Sequence, residues 1–139
     1  MRPTKAALIV EMTWDDEQRF SVRTGEAQLV IDGNSQAGPS PMQALAAALA
    51  GCMAIDVVSI LRKGRHPLTG LQATLKGLRV EGTPARLTDV ELHYRVEGAV
   101  PPAAVDRAIQ LSRDRYCSVW HSLRQDIAFT TTFEIASPP

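Results

Sequence analysis

The stretch Ser40-Pro41-Met42-Gln43-Ala44-Leu45-Ala46-Ala47-Ala48-Leu49-Ala50-Gly51-Cys52-Met53-Ala54-Ile55-Asp56-Val57-Val58-Ser59-Ile60-Leu61 decides the fold. Its opening carries three helix-start signals. Ser40 suits the N-cap, Pro41 the first helical position, and Gln43 stands where a capping box takes Glu or Gln. The helix is expected to end near Leu61 or Arg62, with Arg62, Lys63 and Arg65 at its negative end and Gly64 and Pro67 to stop it. Its length invites comparison with a membrane span, but Gly51, Asp56 and Ser59 interrupt it, and a carboxylate at mid-bilayer costs about 3 kcal/mol. The reading is a buried helix of a soluble protein, with no membrane partner. An apolar helix with almost no polar face must be covered on most sides. A chain of 139 residues covers it only with a wrapped sheet or with a second subunit.

Working outward, the segments before this helix suit β-strands. Ala6 to Trp14 and Phe20 to Ile31 are the candidates; Arg19 to Arg23 alternates, and Leu29-Val30-Ile31 is a short apolar run. Asp32 to Pro39 carries turn residues throughout and reads as a loop. After the helix, Leu71 to Val80 and Leu87 to Val96 read as strands. The second sets Val90, Leu92, Tyr94 and Val96 on one face against Asp89, Glu91, His93 and Arg95 on the other. Pro101-Pro102 opens another helix from about Ala103, with Val105, Ile109, Ser112 and Tyr116 on one side and a restart at Tyr116-Cys117-Ser118. A last strand alternates through Ile127, Phe129, Thr131, Phe133 and Ile135. The order βββ-α-ββ-α-β is an α+β fold with a largely antiparallel sheet and helices packed on it.

The length fits a single domain over 1–139, able to bury roughly 70% of its unfolded surface. Fifteen basic and fifteen acidic residues cancel (Lys+Arg 15, Asp+Glu 15). Without a net positive field, nucleic acid and anionic membranes are poor partners, and little repulsion opposes self-association. Two cysteines are not a disulfide scaffold. The N-terminus lacks the apolar run of a secretion signal, so the chain is read as cytoplasmic.

The common nucleotide, zinc-protease, dithiol and hydrolase motifs do not occur. Cys117 and His121 lie one helical turn apart, but two ligands do not make a metal site, and no metal or cofactor is expected. The cluster Arg62, Lys63, Arg65 and His66 caps a helix dipole. What remains is Cys52 within the apolar helix and Cys117 on the later helical region. By residue type alone each is a small core hydrophobe.

The run from Ser40 through Gly51-Cys52 and Ala54 to Leu61 resembles the central cysteine helix of the OsmC/Ohr family, the osmotically inducible and organic-hydroperoxide-resistance proteins. Leu111-Ser112, followed by Tyr116-Cys117-Ser118-Val119, resembles that family's second-cysteine segment. The Ser-Pro-Met opening and the Ala54–Leu61 tail are similar to a less studied branch. The resemblance implies an intertwined homodimer that buries the central helix between subunits. It implies a thiol peroxidase in which Cys52 is peroxidatic and Cys117 resolving, with an organic hydroperoxide as substrate and an external dithiol as reductant. Arg19, with Arg23 behind it, is the candidate for the family's thiolate-holding arginine. At the family's glutamate position this chain has Met42, with Gln43 adjacent. Leu45, Leu49, Met53, Phe20 and Trp120, together with Met42 and Gln43, are the expected pocket residues. Asp56, one turn beyond Cys52, would oppose thiolate formation if it faced the same pocket. A redox sensor or small apolar-ligand binder on the same scaffold, or an interaction domain with inert cysteines, is the competing reading.

Overall fold

A computed structural model describes residues 5–136. The chain divides into two compact units, Met1–Leu45 and Ala46–Pro139. Each holds one three-stranded sheet.

In the first unit, β1 (Glu11–Asp16), β2 (Arg19–Thr24) and β3 (Ala27–Asp32) form an antiparallel meander. The long second segment expected from Phe20 to Ile31 is cut into two strands by Gly25-Glu26. Gly25 adopts φ 60°, a conformation cheap only for glycine. The first strand begins at Glu11 rather than Ala6, although Thr24 Oγ1 donates to the Ile9 carbonyl at 2.8 Å. Asp32 closes the sheet and organises the loop after it. Its carboxylate accepts backbone N–H groups from Asn34 at 2.9 Å, Gln36 at 3.2 Å and Ala37 at 2.9 Å. The Ala37 and Asn34 amides, helped by Gln36 and the Arg19 charge, hold this carboxyl below its ordinary pKa against some desolvation. A depressed carboxylate contributes stability above its unfolded pKa and loses it as pH falls through the folded value. Amide exchange at Asn34, Gln36 and Ala37, followed between pH 6 and 2, is therefore expected to lose protection only below about pH 4. Loss of protection already at pH 6 would contradict this anchoring.

The predicted capping box is present at the start of α1 (Pro41–Lys63). Gln43 N–H donates to Ser40 Oγ at 3.2 Å, and Ser40 N–H donates to Gln43 Oε1 at 2.9 Å. Ser35 Oγ donates to the same oxygen at 2.9 Å. At the far end Arg65, not Gly64, takes the left-handed conformation, at φ 59°. By length and composition α1 could cross a bilayer. It nevertheless carries a buried stripe of Leu49, Met53, Val57 and Leu61 at four-residue spacing. Each such side chain contributes roughly 1.5–3 kcal/mol on burial. Around the stripe most positions are half-buried, and Ile55 is 68% exposed.

The second sheet has the order β4 (Leu68–Arg79), β5 (Leu87–Gly98), β6 (Ala128–Ala136). β4 starts three residues before its expected Leu71. β4 and β5 are antiparallel, whereas β5 and β6 run parallel. The parallel pair follows from its connection, since a helical crossover returns the chain in the same direction. The fold is thus α+β with mostly antiparallel pairing, distributed over two sheets. Val90, Leu92, Tyr94 and Val96 are all buried, as their alternation predicts. They form the unit's core with Val105, Ala108 and Ile109 of α2 (Pro102–Leu111) and with Ile127 and Phe129.

Candidate functional site

The connection between α2 and α3 (Ser118–His121) is a π-turn over Ser112–Tyr116. Cys117 N–H donates to the Ser112 carbonyl at 2.7 Å, five residues back. The wider turn inserts one residue into the helical period. Val105, Ile109 and Ser112 therefore stay inside, while Tyr116, expected on their face, is 53% exposed. The same shift puts Cys117 at the N-cap of α3, where its Sγ accepts the Trp120 N–H at 3.3 Å.

Cys117 is fully buried, and Cys52 on α1 is half-buried; both are free thiols. The two are neighbours. Burial pushes the Cys117 thiol up to about 11, the Trp120 amide acts in the opposite direction, and the adjacent Cys52 side chain raises it further. Asp56 is tied to the same corner, because Ser112 Oγ donates to its Oδ2 at 2.7 Å. That contact answers what a carboxylate is doing on an apolar helix. Ser112 is fully buried, and the bond it makes joins α1 to the π-turn. Tyr94 completes the cluster from β5. Its phenol is raised above its ordinary pKa chiefly by burial, then by Cys117, Asp56 and Cys52. Chemically, this is a half-exposed sulfur with a second, hidden sulfur next to it, among apolar walls.

The structure assigns the other predicted residues to definite places. Leu49 and Met53 belong to the buried stripe of α1 flanking Cys52. Trp120 is buried, its ring 4.6 Å from that of Phe129 at 52°, with the Arg113 guanidinium 4.8 Å from the Phe129 centroid. His121 Nε2 bonds to the Arg113 carbonyl at 2.9 Å, so that nitrogen is engaged. Arg19, Phe20, Met42 and Gln43 lie in the first unit. Arg19 is exposed at the start of β2, in register with Asp32; Phe20 and Met42 are half-buried. The side-chain oxygen of Gln43 is engaged by Ser40 and Ser35. Ser112 and Tyr94 were legible only as positions on apolar faces. The signal for both is a hydroxyl among aliphatic residues, Ser112 following Val105 and Ile109, and Tyr94 between Leu92 and Val96.

A family model described as OsmC-like protein matches residues 32–132. The chain belongs to the OsmC-like family. Among its relatives, protein YhfA of Escherichia coli strain K12 is 41% identical over 112 residues, which cover 79% of this chain and 84% of YhfA. A solved structure of a hypothetical protein from Aquifex aeolicus VF5 superposes with a TM-score of 0.89 at 26% identity, covering 97% of this chain and 100% of that one. The same OsmC-like fold is seen in a Legionella pneumophila protein described as an organic hydroperoxide resistance protein OsmC, predicted redox protein. Its TM-score is 0.70 at 14% identity, with 95% of this chain and 99% of that one covered.

Proposed function

We propose that this OsmC-like protein reduces organic hydroperoxides with the Cys52–Cys117 pair. The observation that carries the reading is the asymmetry of the two neighbouring thiols. Within a single chain Cys52 is only half-buried, whereas Cys117 is buried beside it. In the first step the Cys52 thiolate attacks one peroxide oxygen. The O–O bond breaks, an alcohol leaves after taking a proton, and Cys52 becomes a sulfenic acid. Cys117 then attacks the Cys52 sulfur. The S–S bond forms, the S–O bond breaks, and the departing hydroxide takes up the Cys117 thiol proton as water. An external dithiol returns both cysteines to thiols by exchange and leaves oxidised itself.

Further parts of the reading rest on family membership. The whole of 1–139 works as one OsmC-like domain in the cytoplasm. A second copy of the chain covers the half-buried faces of α1, which the isolated chain leaves without the coverage an apolar helix needs. The test is dithiothreitol-dependent peroxide consumption by the purified protein. Apolar walls at Leu49, Met53 and Trp120 favour organic substrates, so cumene hydroperoxide is expected to be consumed at least about 10-fold faster than hydrogen peroxide, equivalent to ~1.4 kcal/mol. A faster rate with hydrogen peroxide would overturn the substrate assignment, and no consumption of either would overturn the function.

A further inference from the structure

Two hydrogen bonds join the side chains of α1 to the segment of the second cysteine. In the first, the Cys52 and Cys117 side chains are partners. In the second, Ser112 Oγ donates to Asp56 Oδ2 at 2.7 Å. Asp56 follows Cys52 by one helical turn, so the two attachments lie about 6 Å apart along one face of the helix. Ser112 also accepts the Cys117 N–H through its carbonyl, at 2.7 Å, and that bond closes the π-turn. A single residue thus fastens the turn both to Cys117 and to α1. Ser112 is fully buried and Asp56 half-buried, so leaving either without the other strands a polar group away from water. Asp56 makes no other side-chain hydrogen bond among the described residues. Its carboxylate therefore has one structural employment, and that employment is at the cysteine pair.

We propose that the Asp56–Ser112 bond positions Cys117 for disulfide formation with Cys52. Both residues act through Cys117, whose turn they hold, and so are positioning residues. Two attachments fix the π-turn against α1; with the thiol contact alone, the turn pivots about it. The freedom gained in the dithiol state must be surrendered again when the S–S bond forms, which lowers the effective concentration of one sulfur at the other. In the oxidised state the disulfide itself tethers the turn, so the bond matters most before the sulfurs are joined. The inference deepens the peroxidase reading and rests on its pairing of the two cysteines, but disulfide stability is measured without any peroxide.

The experiment equilibrates the full chain with mixtures of oxidised and reduced glutathione at about neutral pH. The Cys52–Cys117 disulfide is read by mass spectrometry after acid quench and alkylation. Oxidised glutathione takes two electrons and two protons from the cysteines; its S–S bond breaks as the protein's forms, and two glutathione thiols are released. Asp56→Ala and Ser112→Ala are each expected to lower the equilibrium constant for the disulfide about 10-fold, which makes the potential about 30 mV less negative. Asp56→Asn keeps an acceptor oxygen for Ser112 and is expected to stay close to the wild-type value. A charge effect of Asp56 on the thiols would instead move Asp56→Asn and spare Ser112→Ala. That pattern would overturn the proposal, as would folded alanine variants with the wild-type constant. Should a single variant fail to fold, Asp56→Ala combined with Ser112→Ala removes both partners and leaves neither unpaired. The pair is expected to lose about the same 10-fold as one substitution, because one bond is removed. A wild-type constant in this double variant, or a loss equal to the product of the two single losses, would overturn the proposal. Unmoved variants beside normal peroxide turnover sink the positioning role alone. Weakened variants beside a wild-type chain that consumes no peroxide sink the peroxidase reading and support the positioning role.

Discussion

Cys52→Ser protein is expected to consume cumene hydroperoxide no faster than buffer, whereas Cys117→Ser protein consumes one equivalent at close to the wild-type rate and then stops recycling through a disulfide. The two losses differ because the sulfurs do different jobs. Cys52 supplies the nucleophile, and an alcohol in its place is not ionised near neutral pH, so several orders of magnitude in rate are lost. Cys117 acts only after the sulfenic acid exists, and without it the oxidised Cys52 persists and climbs to the sulfinic acid under excess peroxide. Rapid-quench peroxide assays with mass spectrometry of the Cys52 peptide separate the two outcomes. Full activity in the Cys52 variant would eliminate the mechanism. Full recycling in the Cys117 variant would mean that an external thiol resolves Cys52 directly.

The second large effect lies in pH. Burial, reinforced by Cys52 and partly offset by the Trp120 amide, pushes the resolving thiol up to about 11. Attack on the sulfenic acid uses the thiolate, whose population grows about 10-fold per pH unit below the pKa. Disulfide formation after a single oxidation pulse is therefore expected to accelerate roughly a thousandfold between pH 7 and pH 10. A resolving thiol of ordinary pKa would level off near pH 9. A plateau there would show that the pocket does not hold Cys117 neutral. Stability follows the same shift in a definite sense. A folded pKa above the unfolded one gives a contribution fully present below about pH 8.5. It is lost progressively as pH rises toward the folded value near 11.

Much of this was open to reading in the primary structure, for physical reasons that differ by residue. The capping box at Ser40 and Gln43 was legible because it is local, two side chains reaching across three positions. The inward face of β5 was legible because its period of two is strict from Val90 to Val96. Tyr116 was misplaced because a helical wheel assumes a constant period, and the π-turn at Ser112–Tyr116 breaks it. That same break sets Cys117 inward. The parallel pairing of β6 with β5 is a property of the crossover and leaves no mark on the alternation of Ile127, Phe129 and Thr131. The bond between Asp56 and Ser112 joins residues on different elements, so no spacing rule reaches it. The nearness of Cys52 and Cys117 is of the same long-range kind, and in the sequence it was carried by family resemblance.

The most direct test of the account is peptide mapping of the protein after one equivalent of cumene hydroperoxide, under non-reducing conditions and with free thiols blocked. The account predicts a crosslinked pair of peptides holding Cys52 and Cys117, which separates on adding dithiothreitol. Recovery of Cys117 as an alkylated free thiol, with Cys52 oxidised alone or unmodified, would contradict it.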